Sequence, residues 1–336
     1  MPLVRHQRLT PIVLFLALST LACGLLPGQP GEPVVEETAE LEEPPEPTAA
    51  YRGLDLSALE AYAATFEVSF TAGDDPEAGW SYTVDTLASP PALRRALSIE
   101  GVSPEQDPGD VTLTQIGDTQ YMTGEGIGEA GCLIFPASYD LEASFLTPDD
   151  FLPPAALANV PLDPAGPETV AGQPGARYTF EADSLGDFAD TSGDLVLADE
   201  GGYVLRYEFS GSTTDSRFMP GQAGRLSWRF AITNTDPSEA LSAPDGCTID
   251  LPVMDDAAEL TSLFGVITYT TSSSSEVVAA FYEEALPQAG WGRYTMPATR
   301  GDTTLVVYAR AGEFLNVNIT AKESGSEVQL ISEGRP

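Results

Sequence analysis

Three cysteines, one histidine and a large excess of carboxylates define the covalent and acid–base chemistry open to this chain of 336 residues. The single histidine, His6, precedes all three cysteines, Cys23, Cys132 and Cys247. Beyond residue 6, therefore, Ser-His-Asp and Cys-His nucleophilic catalysis and His-ligated metal sites are excluded. The carboxylates outnumber the bases, 51 Asp+Glu against 15 Lys+Arg, for a formal charge of −36. Such an excess argues against nucleic acid as a partner, because phosphate binding needs clustered Lys and Arg. A carboxylate pair for glycoside hydrolysis is chemically open, but nothing selects one. The acidic turns at Gly73-Asp74-Asp75, Asp149-Asp150 and Asp187 to Asp194 lack the alternate-residue ligand spacing of an EF-hand loop and read as solvated turns. Gly126-x-Gly128-x-x-Gly131 matches a dinucleotide fingerprint in letters only. Pro136 follows within five residues, and Glu125 and Glu129 would repel a pyrophosphate. No Gly-x-Ser-x-Gly elbow occurs. The expectation is a protein without catalytic residues, metal or cofactor, a carboxylate-only hydrolase being the open alternative.

Residues 1–22 read as an export signal. Arg5 and Arg8 form a basic start, and Ile12 to Ala22 form an apolar run of 11 residues. A bilayer span needs about 20. The run ends at Thr20-Leu21-Ala22-Cys23-Gly24, which resembles the bacterial lipobox, although that motif most often has Leu where Thr20 stands. The resemblance implies cleavage before Cys23 and attachment of lipid to its thiol; an ordinary cleaved signal with an incidental cysteine is the alternative. Each buried methylene contributes about 0.8 kcal/mol, so two or three acyl chains would anchor the protein stably to a membrane. The expected location is the extracytoplasmic face of the cell membrane. There the compartment is oxidising, and Cys132 and Cys247 are expected to pair, the alternative being two unrelated buried thiols. Neither has sequence neighbours that would make a reactive thiolate.

Four segments follow: the signal at 1–22, an anchor and acidic linker at 23–50, a β domain at 51–247 and a small α+β domain at 248–336. Residues 24–50 hold seven Glu, six Pro and no basic residue, a composition that cannot bury a core. From Leu54 onward the pattern is mostly β, with a short helix expected at Asp55 to Ala63 and another after Thr147-Pro148. Phe66, Val68 and Phe70, then Trp80, Tyr82 and Val84, alternate with polar residues. So do Tyr178 with Phe180, and Leu226 through Trp228 and Phe230 to Ile232. This is the signature of antiparallel strands with one covered and one wet face. These strands offer more apolar surface than two short helices can cover, so the sheet must curl, pack against another layer or hold a ligand. Phe66, Val68, Phe70, Trp80, Tyr82, Tyr178, Phe180, Trp228 and Phe230 are thus candidates either for a solid core or for the lining of a hydrophobic cavity. Beyond residue 248 a β-α-β-β-β-β order is expected, its helix opened by Ser273-x-x-Glu276 and carrying Val277, Phe281 and Leu286 toward Pro287.

Residues about 52–247 resemble the LolA-like and LppX/LprG-type envelope lipoproteins. The resemblance rests on Ile116 to Tyr121, on Glu168 to Gly172 followed by Arg177-Tyr178, and on the strand Leu226 to Ile232. It implies an unclosed antiparallel β-barrel wrapped around short helices, with a cavity for acyl chains. The expected function is that of an exported, membrane-anchored lipoprotein that binds or carries a lipid or other hydrophobic ligand. The alternative is an envelope scaffold whose partner is another protein and which holds no small ligand.

Overall fold

The computed structural model describes residues 53–73, 79–101, 109–125, 127, 131–157 and 160–333, all within one compact unit. The export signal, Cys23, the acidic linker, Asp74, Asp75, Gly126 and Gly128 lie outside the described residues. Among the described residues, no helix is long and apolar enough to cross a membrane.

Two meanders build the first region. One runs β1 (Tyr62–Ala72), β2 (Gly79–Ser89), β3 (Ala92–Gly101), β4 (Gly109–Ile116), β5 (Thr119–Gly124) and β6 (Cys132–Pro136). The other runs β7 (Asp163–Val170), β8 (Gln173–Leu185), β9 (Phe188–Ala198), β10 (Val204–Thr213) and β11 (Gly224–Asn234). Strand β1 pairs antiparallel with β11 and joins them, giving the order β7-β8-β9-β10-β11-β1-β2-β3-β4-β5-β6. The chain then returns through β12 (Ala258–Leu263), which meets β6 at Ser262↔Ile134, and β13 (Val266–Thr271). After α3 (Ser275–Gln288) come β14 (Gly292–Arg293), β15 (Ala298–Arg300), β16 (Thr303–Arg310), β17 (Glu313–Lys322) and β18 (Gly325–Glu333). These extend the sheet as β13-β18-β17-β16, with β14 and β15 both on β16. The protein is mainly β, a single large antiparallel sheet that does not close into a barrel.

The alternation in the sequence sets which face is dry. Register pairs Phe66 with Val84, Val68 with Tyr82 and Phe70 with Trp80 on one side, and with Phe230, Trp228 and Leu226 on the other. All nine cavity candidates belong to, or pack on, one hydrophobic cluster. At its centre Phe209 stacks on Trp228 at 4.0 Å, Phe151 stands 5.8 Å from the same indole, and Phe188 is 5.2 Å from Phe209. Rings of this size reach across the strands only where backbone is bare. A Cβ at Gly193 would come within 2.0 Å of the Phe180 ring, and one at Gly224 within 2.3 Å of Phe70.

The apolar face is covered by the connection from β6 to β7. It contains two single 3-10 turns (Ala137–Tyr139 and Leu141–Ser144) and two helices of one turn each, α1 (Pro148–Phe151) and α2 (Pro154–Leu157). As expected, Thr147 precedes α1 and Pro148 opens it; the Asp150 carboxylate accepts hydrogen bonds from Thr147 N–H at 2.6 Å and Thr147 Oγ1 at 2.9 Å. The helix expected at Asp55 to Ala63 does not form. Asp55 Oδ1 accepts a bond from Ser57 N–H at 3.0 Å, which makes a turn, and from Tyr62 onward β1 takes the backbone into the sheet. Leu54, Leu56 and Leu59 of this strap pack instead on the cluster.

The C-terminal strands carry their own cluster, centred on Tyr269, Tyr282, Tyr308, Leu315, Val317 and Leu330. Helix α3 presents Val278, Tyr282 and Leu286 to it, one residue off the expected stripe for two of the three; Val277 is exposed and Phe281 only partly buried. Pro287 sits inside the last turn rather than beyond it. The Tyr269 and Tyr282 hydroxyls meet at 2.7 Å within this core. Cys132 and Cys247 are joined by a disulfide, with Cα atoms 5.4 Å apart.

Candidate functional site

A cleft of about 750 Å³ opens beside the strap, at one end of the sheet built by β1 to β11. Its origin lies in residue size. The row across β1 and β2 that holds Phe66 and Val84 is bulky, whereas the next positions toward this end are Ala64, Thr86 and Ala88, with Tyr62 opposite Ala88 the one large side chain among them. Small side chains on the sheet leave a hollow that the covering segment does not fill. The strap residues Leu54, Leu56 and Leu59 form one wall, Leu146 and Pro148 another, and Phe66 and Phe230 close the inner end.

Two hydrogen bonds hold the walls in place. Leu54 N–H donates to Asp149 Oδ2 at 2.9 Å, tying the strap to α1. Leu146 N–H donates to the Tyr82 hydroxyl at 2.9 Å, tying the covering segment to β2. Burial pushes the Tyr82 phenol up to about 12, so it stays neutral in this role. Tyr62, also at the cleft, is pushed up by burial too.

One cation enters the apolar hollow. Arg95 shares the inward face of β3 with Leu97, which packs on the core, and Ile99, which is buried in it. Its side chain is 14% exposed, and its Nη2 donates to Glu142 Oε1 at 2.5 Å. The guanidinium carbon lies 5.8 Å from the centre of the Phe145 ring.

The polar face carries a second hollow, an open trough of about 1020 Å³. Cross-strand register aligns Ser81, Ser69, Ser227, Ser210 and Ser192 along its floor. Beside them runs a charged row in which Arg229 meets Glu208 at 3.3 Å, while Asp194 accepts from Arg177 at 2.5 Å and from Arg206 at 2.8 Å. With Glu67, Asp163 and Glu181 also in its lining, carboxylates outnumber arginines, so the trough is a hydroxyl floor in acidic surroundings.

Of the sequence candidates, Phe66 and Phe230 line the apolar cleft. Val68, Phe70, Tyr82, Phe180 and Trp228 are buried in the cluster, with Val68, Phe180 and Trp228 also bordering the trough, and Trp80 and Tyr178 pack at the cluster's margin. Trp80 Nε1 is fixed by a bond to the Phe218 carbonyl at 2.8 Å. In the acidic turn at Asp187 to Asp194, Asp187 pairs with Arg217 at 2.8 Å and Asp194 with two arginines. Sequence reading passed over Arg95, Ala64, Thr86, Ala88 and the strap. The signal for Arg95 was present, since Leu93, Arg95, Leu97 and Ile99 alternate as one inward face.

A mainly β protein with an open sheet and a cleft of mixed apolar and polar lining at one end is what these observations define. A family profile described as START domain-like matches residues 257–326. Among curated proteins none matches the chain. The crystal structure of MucB in complex with MucA(peri) aligns at 12% identity over 81% of this chain and 87% of that one, with a TM-score of 0.23. A DUF1329 family protein from Desulfovibrio piger aligns at 10% identity over 55% and 89%, with a TM-score of 0.18. At these TM-scores neither likeness bears on the fold or the site.

Proposed function

We propose that this chain is an exported lipoprotein, anchored to the membrane through lipidated Cys23, that binds a lipid or similar hydrophobic ligand without chemical conversion. The LolA-like and LppX/LprG-type resemblance of residues about 52–247 is part of this reading. The observation that carries it is the open cleft of about 750 Å³ at Ala64, Thr86 and Ala88, where the leucines of the strap, Phe66 and Phe230 stand beside polar groups such as Gln115, Thr147, Arg95 and Glu142. A hollow of this size suits a drug-sized or single-acyl ligand. Burial of its apolar surface at about 25 cal/mol per Å² would drive binding. The START domain-like match supports a ligand-binding or protein-interaction role for the C-terminal part, proposed as a small α+β module around α3.

Native mass spectrometry of the full chain, followed by organic extraction and lipid analysis, tests this. A co-purifying acyl species near one equivalent is the expected result. A clean unliganded mass, with no uptake of added lipid, would overturn it.

A second reading, an envelope interaction protein, draws on the C-terminal part. There Phe264, at the β12–β13 turn, is 71% exposed and Met296 is 76% exposed. Single exposed apolar residues are common, so this reading needs a stoichiometric protein partner recovered by cross-linking in whole cells.

A further inference from the structure

A charge on the dry face of a sheet requires a reason. Arg95 stands where the alternation of β3 calls for an apolar residue, between Thr86 of β2 and the buried Leu113 of β4. An arginine kept this far from water needs a counter-charge and partners for its donors.

Its present partnership is incomplete. Glu142 meets Arg95 through one oxygen, whereas the neighbouring Arg94 engages both oxygens of Glu239, at 2.5 and 3.3 Å. Arg95 Nε is buried and has no hydrogen-bond partner. The two members of the pair are also held differently. Arg95 is fixed on a central strand, but Glu142 belongs to a four-residue turn and its side chain is 43% exposed. The carboxylate can leave for water; the guanidinium cannot.

We propose that the cleft receives an amphiphile with an anionic head, a carboxylate or phosphate, and that the head pairs with Arg95 in place of Glu142 while the acyl chain lies along Ala64, Ala88, Phe66 and Phe230. This rests on the ligand-binding reading above and adds the chemical class of the ligand. A planar guanidinium fork matches either oxyanion in two-point contact. Glu142 then acts as a resident competitor that keeps Arg95 neutralised in the empty protein.

The test uses the full chain and three probes with the same sixteen-carbon tail, about the length of a common membrane acyl chain: hexadecanoate, hexadecyl phosphate and methyl hexadecanoate. Binding is read by displacement of an environment-sensitive apolar dye. Hydrogen bonds to a charged partner contribute about 1.5–3 kcal/mol, so both anions are expected to bind about tenfold or more tightly than the ester. In Arg95→Gln that preference disappears, and the anions bind no more tightly than the ester. In Glu142→Gln, which leaves Arg95 in place, anion binding tightens and ester binding does not. The ratio of phosphate to carboxylate affinity identifies the preferred head.

Equal affinities for the anions and the ester in the unmodified protein would overturn the head-group assignment and leave the hydrophobic cleft standing. No binding of any probe would overturn both. If Arg95→Gln fails to fold, an unchanged anion affinity in Glu142→Gln overturns the assignment on its own.

Discussion

The two hydrophobic clusters of this protein solve the same problem with different covers. In both, an antiparallel sheet presents a dry face that must be buried. The C-terminal strands are covered by α3, whose 14 residues repeat Val278, Tyr282 and Leu286 at the four-residue spacing of one helical face. A regular stripe on a regular sheet packs without a gap, and even the two tyrosine hydroxyls find each other at 2.7 Å. The curled sheet is covered instead by 3-10 turns, two single-turn helices and the strap at 53–59. Such pieces place Phe145, Phe151, Leu152 and Leu157 well over the aromatic centre, but they cannot follow the sheet to its end. The cleft lies where that cover gives out. A hollow therefore comes from mismatched covers as much as from missing bulk.

The largest expected effect concerns the bridge between the regions. The disulfide closes a loop with a sequence separation of 115 residues. Chain-entropy models put such a cross-link at about 4–5 kcal/mol. Replacing both cysteines by serine should lower the urea midpoint by a corresponding amount; a shift too small to measure would show that β6–β12 pairing alone suffices. Next is the helix-covered core. Leu286→Ala should cost about 2–5 kcal/mol by chemical denaturation, because Leu286 is fully buried among the residues of that cluster.

The pH dependence is similarly informative. Burial raises Tyr82 to about 12 and pushes Tyr207, Tyr269 and Tyr282 in the same direction. A folded value above the unfolded one, about 10, means that the neutral phenols stabilise fully below about pH 10. That contribution is lost as pH rises through 10 toward 12. Phenolate absorbance at high pH should therefore appear together with unfolding, and early ionisation in a protein still folded would contradict the assigned burial.

Smaller still, Tyr282→Phe should cost about 1 kcal/mol by removing one buried hydrogen bond, with its partner Tyr269 left in place. Smallest is the cleft. Overpacking a tight core costs about 1–3 kcal/mol, but Ala88→Leu adds its methylenes to open space and should change the urea midpoint by less than about 1 kcal/mol. The same variant should lose ligand. A large destabilisation would mean that the hollow is not available to a side chain.

Much of the fold could be read from residue order. Alternation exposed β1, β2, β8 and β11, and Gly117-Asp118 marked the turn between β4 and β5. Strand β7 was hidden because Pro164, Gly166 and Pro167 give it no apolar alternation; it exists as an edge strand with β8 as its partner, where missing N–H groups are tolerated. Strand β3 was hidden by Arg94 and Arg95, which interrupt the apolar pattern. The strap looked helical because Asp55 can cap, but its carboxylate closes a turn with Ser57, and pairing of β1 on both edges takes Tyr62 and Ala63 into the sheet, leaving too few residues for a stable helix.

What sequence alone determined is local: which residues face inward, where turns fall, that α3 forms, and that Cys132 and Cys247 are the two thiols left to pair. Those features depend on period, capping and count, which neighbours in the chain settle among themselves. The cleft required the tertiary structure. Ala64, Thr86 and Arg95 sit on three strands, and they become adjacent only through the register Ala64↔Thr86 and Thr86↔Arg95. Leu54 and Leu146, separated by most of a meander, reach the same hollow through bonds to Asp149 and Tyr82. No period in a linear chain encodes that meeting, because it is long-range pairing that decides which small residues lie side by side and which bulky ones fall beyond reach.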